Sequence, residues 1–542
     1  MATVIPPPSK RQKREVLERS QVQQDVASTT IAGSIRARFV DSEGKELAET
    51  VEIPLADATE RNVSSLLNTL LQRDREDFTP YRFRIQIPNS NVVIDSYPTP
   101  AEFLEVLRKH GVENPFETTL SLTAEPQSVF KDNVVKAATR MAHRIPGHGQ
   151  PILTAQFSPK TGAILATGSG DSTARIWNTE SGTPKYTLQH SGWVLVCSFD
   201  PSGAYLATGS MDKMVRLFDP DTGKQIGKPF TGHSKWITSI AWQPFHLWRE
   251  DGARLASASK DATIRIYITS GVTHHVLSGH KSAVTMVRWG GLDHVYSASQ
   301  DRQIKVWNAS DGTLRHSLNS HAHWVNHIAL STDSVLRTAF YDHTKVVPSS
   351  TEEKRAKAKA RFEKAATHNG KIVERLVSAS DDCTVYIWEP ESQGSKPITR
   401  LLGHQKPVNS TAFSPDGRLI ATASWDNSIK IFDHDGKFRA TLRGHVAPVF
   451  QVAFSADSRL LVSCSRDTTV KTWDMRTFKL KTDLPGHEDE VYAVAWSADG
   501  TCVASGGKDR AVNLYYYEFN IVLLREASDV TRFHCSNIED AA

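Results

Sequence analysis

The sequence predicts a mainly β fold, an eight-bladed β-propeller preceded by a small α+β unit of β-grasp type. Three observations carry this reading. From residue 148 onward one pattern recurs eight times: a histidine, an apolar strand, a second strand ending in a small-x-Asp turn, and an aromatic six residues after the Asp. Ahead of it, residues 33–124 read as hairpin, helix, two strands, short helix and final strand. Finally, the repeat starts in a loop between an outer and an inner strand. The stretch just before it, Thr139 to Ile145, is therefore expected to supply the outermost strand of the eighth blade and close the ring, leaving no long free strand edge.

The bulk numbers set limits. Of 542 residues 23% are charged and 39% apolar, an ordinary globular balance that argues against wholesale disorder. A net charge of +4 is too mild to diagnose nucleic-acid binding, so any such case must rest on local patches. The cysteines Cys197, Cys383, Cys464, Cys502 and Cys535 are scattered without CxxC spacing, which reads as reduced thiols and offers no zinc site. No apolar run approaches the roughly 18 residues that cross a bilayer, so no membrane partner is expected.

Residues 1–32 form a Pro-rich basic arm with Pro6-Pro7-Pro8, Lys10, Arg11, Lys13 and Arg14. This is the opposite of a secretory signal; it reads either as a nuclear-import address or as a solvated tail. In the unit at 33–125, Ile35 to Val40 alternates, Asp41-Ser42-Glu43-Gly44 turns, and Glu49 to Ile53 alternates again. Val63, Leu66, Leu67, Leu70 and Leu71 have helical spacing, with Asn62 as the expected cap. Strands follow at Arg82 to Ile87 and Val92 to Ile94, a short helix from Ala101 to Lys109 stops at Gly111, and Thr119 to Leu122 finishes the unit. This is the order of a ubiquitin-like β-grasp. A linker at 126–138 leads to the propeller at 139–517.

The repeat histidines are His148, His190, His233, His280, His321, His404, His445 and His487. The turn aspartates are Asp171, Asp212, Asp261, Asp301, Asp382, Asp426, Asp467 and Asp509, followed by Trp177, Phe218, Tyr267, Trp307, Trp388, Phe432, Trp473 and Tyr515. Such a period with Gly-His and Trp-Asp marks resembles the WD repeat, four strands per blade. In that family the His and turn Asp pair with each other and with a Ser or Thr. This predicts structural polar pairs rather than metal ligands or general bases, since catalysis has no use for eight copies. The chain contains no nucleophile elbow, no GxxxxGK[ST] loop and no metal triad, so no catalytic residues, no enzyme activity and no cofactor of its own are expected.

Two surfaces stand out. Three blades carry tryptophan three residues after the repeat His: Trp193, Trp236 and Trp324. Positions five after the His, or just before the turn Asp, are expected at the same mouth of the disc; they include Trp425, Phe450, Tyr492, Arg466, Lys508 and Lys260. These residues read either as a partner-binding groove over blades six to eight for an extended peptide, or as ordinary inter-blade packing. In the fifth repeat an insertion at about 331–375 stretches the His-to-Asp distance to 61 residues. Ser350 to Glu353 has capping-box spacing, and Lys354, Arg355, Lys357, Lys359, Arg361 and Lys364 follow among alanines. This predicts a basic helix standing off the disc, either contacting RNA phosphate or simply solvated.

The Pro-rich basic leader, the β-grasp unit, the junction Pro126-Gln127-Ser128-Val129-Phe130, and Ile145-Pro146-Gly147-His148 entering eight repeats together resemble the Notchless family of ribosome-assembly WD-repeat proteins, over roughly residues 6 to 515. The resemblance implies a nuclear factor of the nucleolus and nucleoplasm, monomeric on precursors of the large ribosomal subunit. There it would contact rRNA and neighbouring assembly factors. It also implies that the ubiquitin-like domain binds the metal-ion-dependent adhesion site of midasin, an AAA-type ATPase. In that contact one acidic side chain completes the coordination of midasin's Mg²⁺ in trans. The matching position is Glu117, in Asn114-Pro115-Phe116-Glu117-Thr118, with Glu113 its nearest competitor. A hard divalent cation with one open position suits such a carboxylate, although from the residues alone Glu117 is one of many surface acids. The alternative is a generic WD-repeat adaptor, such as a ubiquitin-ligase substrate receptor or a Notch-pathway regulator. The family pattern implies an end soon after Tyr515, and the tail at 518–542 departs from it, with no role assigned.

Overall fold

The computed structural model describes residues 34–40, 46–47, 50–55, 58–71, 81–86, 93–94, 107–108, 119–126, 141–249, 252–342, 347–368, 371–484 and 486–516. The basic arm, the turn at Asp41–Gly44, most of the short helix after Ala101, Glu113, Glu117, nearly all of the linker and the C-terminal tail lie outside these residues. The chain divides into two compact units, residues 1–132 and 133–542.

In the first unit, β1 (Ser34–Val40) pairs antiparallel with β2 (Val51–Pro54) and parallel with β5 (Thr119–Pro126). Strand β5 also pairs antiparallel with β3 (Tyr81–Gln86), which carries β4 (Val93–Ile94) at the other edge. The order β2-β1-β5-β3-β4 is the mixed sheet that a β-grasp requires. Helix α1 (Glu60–Leu70) inserts Val63 and Leu67 into a core with Ile35, Phe39, Phe83, Leu120 and Leu122. Its cap is Thr59, whose hydroxyl accepts from the Asn62 backbone at 3.3 Å. Asn62, expected as the cap, instead stands inside the first turn. The Thr hydroxyl three residues upstream satisfies a free N–H, which the sequence spacing alone did not resolve.

The second unit is a ring of eight four-stranded antiparallel sheets. Blades 1 to 7 run over 152–189, 194–230, 237–278, 284–318, 325–401, 408–443 and 449–484. Blade 8 takes three strands from 491–516 and its fourth from β6 (Met141–Pro146), which pairs antiparallel with Ala511–Tyr516. The first strand of every blade borders the first strand of the next, including blade 8 to blade 1, so these eight strands surround the axis. The apolar core lies between blades: one cluster joins Ala174 and Ile176 of blade 1 to Val194, Phe199 and Phe218 of blade 2. No blade buries its faces alone; stacking neighbours does.

The turn aspartate explains the tight second corner of each blade. In all eight, the residue after it (Ser172, Lys213, Ala262, Arg302, Cys383, Asn427, Thr468, Arg510) has φ between 60° and 71°. The Asp Oδ1 accepts from the N–H two residues on, as Asp171 does from Thr173 at 2.9 Å and Asp467 from Thr469 at 3.0 Å. That side-chain bond stabilises a left-handed residue that a non-glycine otherwise avoids.

The fifth-repeat insertion is not a helix standing off the disc. After the first strand of blade 5 come α2 (Asp333–Thr338), then α3 (Thr351–Ala366), then a small ribbon of Thr367–His368 against Lys371–Ile372. The capping box of α3 is present: Ser350 Oγ accepts from Glu353 N at 3.1 Å, and the Glu353 carboxylate from Ser350 N at 3.5 Å. But Ala358, Phe362 and Ala366, spaced four apart, are buried. Phe362 stacks on His246 of blade 3 at 5.0 Å, and a Cβ on Gly291 of blade 4 would stand 2.1 Å from its ring. Phe340 meets Phe245 of blade 3 edge-on at 4.9 Å, and the Tyr341 hydroxyl donates to Ser202 of blade 2 at 2.9 Å. The insertion is a brace running from blade 5 to blade 2.

Candidate functional site

The repeat histidines come first because their arrangement resembles a catalytic one. In seven blades, His Nδ1 lies 2.8–3.0 Å from the turn Asp Oδ2. In the same blades, His Nε2 lies 2.6–2.8 Å from a Ser or Thr hydroxyl on the second strand. This is Asp–His–Ser geometry of the kind that activates nucleophiles. Here every such hydroxyl is fully buried, and in four blades it also accepts a tryptophan indole N–H, as Ser463 does from Trp473 at 2.8 Å. The arrangement joins the loop carrying the His to the second and third strands. Burial opposes ionisation of Asp171, but bonds from Thr173, Gly149 N–H and His148 pull its pKa down to about 2. Burial lowers the pKa of His148, with Asp171 pulling the other way.

Blade 2 departs from the expected pairing. Asp212 Oδ2 takes the Arg216 guanidinium at 2.6 Å, and His190 Nδ1 turns to its own strand's Leu188 carbonyl at 3.1 Å while Nε2 keeps Thr208 at 2.8 Å. One difference from blades 1 and 3 lies one residue before the His. In blades 1 and 3 a glycine there lets the equivalent arginine lie close, since an added Cβ would stand 3.0 Å from Arg175 Nη1 at Gly147 and 2.5 Å from Arg265 Nη1 at Gly232. Blade 2 has Gln189 at that position, and there Arg216 pairs with its own turn Asp. With burial and Arg216 both disfavouring its charge, His190 drops to a pKa of about 4.

At the mouth of the disc on the histidine side, the residues predicted over blades six to eight do come together. Trp425 and Phe450 meet edge-on at 6.4 Å, and Phe450 and Tyr492 lie 5.5 Å apart. The Tyr492 hydroxyl donates to Glu490 at 2.9 Å, and Glu490 takes Arg466 Nε at 2.8 Å. Burial, helped by Glu490, pushes Tyr492 up to about 12. The result is a continuous aromatic run ending in an ion pair, with Trp425 41% exposed and Arg466 also open to solvent. Beyond it Lys508 pairs with Asp489 at 3.3 Å. Glu490 was missed by the sequence reading, though it stands three residues after His487, the same register as the rim tryptophans.

Those tryptophans are not part of this run. Trp193 (53% exposed) and Trp324 (45%) face solvent singly, and Lys260 covers Trp236 at 4.0 Å in a cation–π contact. No ring pair links the three among the described residues. The basic residues of α3 are likewise partly committed. Lys357 pairs with Asp342 at 2.9 Å, and Arg361 donates to the carbonyls of Ala339 and Tyr341 and to Thr338 Oγ1. Lys354 lies 5.6 Å from the Phe340 ring and Arg355 is half-buried. Lys359 and Lys364 face solvent, Lys359 within 3.7 Å of Glu363. Only part of the predicted basic stripe is therefore available to a phosphate backbone.

Beneath the brace, Glu374 is fully buried and accepts from Thr332 Oγ1, from Gly291 N at 3.0 Å and from Tyr296 at 3.3 Å. Burial dominates over these bonds and pushes its pKa up to about 7. A carboxyl whose folded pKa is raised gives stability that is fully present below the unfolded pKa and is lost as pH rises through 7. Glu374→Gln, neutral throughout, is expected to flatten the fall in unfolding free energy between pH 5 and 8 by up to about 3 kcal/mol. Equal slopes for both proteins would refute the assignment.

Eight segments, at 140–178, 182–219, 223–267, 271–308, 365–389, 395–433, 436–474 and 478–515, match the model of the WD domain, G-beta repeat. Over 443 residues the chain is 62% identical to ribosome assembly protein 4 of Chaetomium thermophilum, covering 81% of this chain and 85% of that protein. It is 47% identical to ribosome assembly protein 4 of Saccharomyces cerevisiae over 451 residues (81% and 85%) and 40% identical to Protein Notchless of Drosophila melanogaster over 415 (75% and 79%). The chain belongs to the Notchless family. A crystal structure of the computationally designed Ika8 protein, 23% identical with a TM-score of 0.54 and covering 70% of this chain and 99% of that one, shares the fold alone. In this Notchless-family member the polar pairs join loop to strands within the blades, and Trp425, Phe450, Tyr492 and Arg466 come together at the histidine-side mouth. The acidic residue implied by the family resemblance, Glu117, lies just ahead of β5 and outside the described residues.

Proposed function

We propose that this chain is a non-catalytic assembly factor of the large ribosomal subunit precursor, acting in the nucleolus and nucleoplasm. Its ubiquitin-like domain engages the adhesion site of midasin, and the propeller holds the particle and neighbouring assembly factors. The observation that carries this reading is the 62% identity to a ribosome assembly protein across 81% of the chain. Glu117 supplies the carboxylate that completes midasin's Mg²⁺ site, and ATP-driven force passes through that contact to remodel the particle or release factors. The aromatic run Trp425–Phe450–Tyr492 with Arg466 has the composition of an interface hot spot and receives an extended peptide from another assembly factor.

Binding of the full chain to the isolated adhesion domain of midasin in Mg²⁺ tests the first contact. Glu117→Ala is expected to abolish binding and Glu117→Asp to weaken it, with unfolding midpoints unchanged; wild-type affinity in Glu117→Ala would overturn the assignment. For the propeller, Trp425→Ala and Phe450→Ala are each expected to weaken partner capture by about 2 kcal/mol or more. Loss of the fold in these variants would instead make the run inter-blade packing. Sedimentation of the tagged protein separates the whole reading from that of a ubiquitin-ligase receptor or Notch-pathway adaptor: co-migration with large-subunit precursors and recovery of midasin support assembly.

A further inference from the structure

The far end of the ring axis, away from the repeat histidines, holds a charge cluster that neither the fold nor the proposed contacts use. The first strands of the blades surround the axis, and their third and fifth residues lie on the same side of the strand. The fifth is alanine in five blades (Ala241, Ala329, Ala412, Ala453, Ala495) and serine or glutamine in two others. In blade 4 it is Arg288, the one charged side chain at this level. Small side chains leave room there, and Arg288 uses little of its donor set: Nη1 donates to the neighbouring Val287 carbonyl at 3.3 Å, and Nε stands 3.6 Å from Asp333.

Asp333 opens α2, the short helix that follows the first strand of blade 5. Leu336 packs under α3 with Phe362 and Leu292, which fixes the helix in place. Four residues after Asp333, and so on the same side of the helix, comes Arg337. It is exposed, and among the described residues it makes no hydrogen bond and no ion pair. Desolvation by the surrounding protein lowers its pKa most, Asp333 favours its charge, and Arg288 opposes it. Asp333 is itself partly committed, accepting from Leu330 N at 2.8 Å. Two guanidiniums thus lie within electrostatic reach of one carboxylate that only Arg288 pairs with, and among the described residues most of their N–H donors meet no acceptor.

We propose that Arg288 and Arg337 form a binding site for a phosphate group at this end of the ring axis. Planar guanidinium forks match the oxygens of a phosphate in pairs, and two forks suit a tetrahedral group better than a single planar carboxylate, which one fork satisfies. Bringing two like charges together on short, packed elements is otherwise unfavourable, and an anion between them removes that repulsion. The brace makes the site. Its helix α2 presents Arg337 only because α3 is clamped over Leu336. The inference is independent of midasin and of the aromatic run.

The test is calorimetric titration of the full chain with inorganic pyrophosphate at low ionic strength, repeated with a short single-stranded oligonucleotide and with acetate. Wild type is expected to bind a phosphate probe, and Arg337→Ala to bind it about tenfold more weakly. Asp333→Asn is expected to bind more tightly, because the competing carboxylate is gone. Lys371→Ala, which removes a solvent-facing charge elsewhere on the same insertion, is expected to leave binding unchanged. An Arg337-dependent response to pyrophosphate identifies a small phosphorylated anion, and one confined to the oligonucleotide identifies nucleic-acid phosphate. No binding of either probe, equal binding in Arg337→Ala with a wild-type unfolding midpoint, or acetate binding as tightly as pyrophosphate would overturn the proposal.

Discussion

Phe362→Ala is expected to lower the unfolding free energy of the propeller by about 3–5 kcal/mol, the range for truncating a buried aromatic that neighbours cannot replace. The ring fills the space left by Gly291 and stacks on His246, so collapse around the cavity is limited by backbone on one side and a packed imidazole on the other. Loss of Phe362 also loosens the carbonyls that Arg361 binds and the cover over Glu374, both of which depend on the position of α3. Chemical denaturation of the full chain, with Lys364→Ala as a control expected within about 0.5 kcal/mol of wild type, checks this. If Phe362→Ala were as benign as the control, the insertion would be an appendage after all.

That insertion shows where the sequence was legible and where it was not. The repeat spacing placed the strands of every blade and the closing strand β6, because a residue of each kind is needed in every copy: Asp for the left-handed corner, an aromatic for the inter-blade core. The basic helix was visible from its capping box and its charges. Its docking was not, because lysines dominate the eye, while the evidence for a buried face is one phenylalanine and two alanines four residues apart. Alanine fits both an exposed and a buried helix face, and what decided the matter, Gly291 of another blade, is far away in sequence.

The candidate site divides in the same way. Trp425, Phe450, Tyr492 and Arg466 were placed at one mouth by register alone, since a fixed repeat converts sequence offset into position on the disc. The same register put Trp193, Trp236 and Trp324 on the rim but could not say that Lys260 covers one of them. Nor could it foresee blade 2, where the His and the Asp are both present and the pair is not made. There Arg216 takes the turn Asp in place of the His, and an exposed Gln189 stands where blades 1 and 3 have glycine. Glu117 was reached only through the family resemblance, because a lone carboxylate in a loop carries no pattern of its own.

The polar pairs support the second large effect. Asp467→Ala is expected to cost about 3–5 kcal/mol, the range for removing one partner of a buried charged network. Its carboxylate, almost wholly buried, takes His445 Nδ1 at 2.8 Å, Val446 N and Thr469 N each at 3.0 Å, and Thr469 Oγ1 at 2.6 Å, so truncation leaves four donors without an acceptor. Burial opposes its ionisation, but the His445 and Thr469 bonds outweigh that and hold it well below the usual carboxylate range. Because the folded pKa is depressed, the stabilisation is present above the unfolded value near 3.8 and is lost as pH falls below it. Wild type is therefore expected to lose stability steeply under acid, and Asp467→Ala less so. Blade 2 supplies the internal comparison. Asp212 is already neutralised by Arg216, so His190→Ala leaves no buried carboxylate unpaired, whereas His445→Ala does. Denaturation midpoints should place His190→Ala at least ~1 kcal/mol closer to wild type than His445→Ala. The reverse order would mean that the histidines act through packing volume and not through the carboxylates they hold.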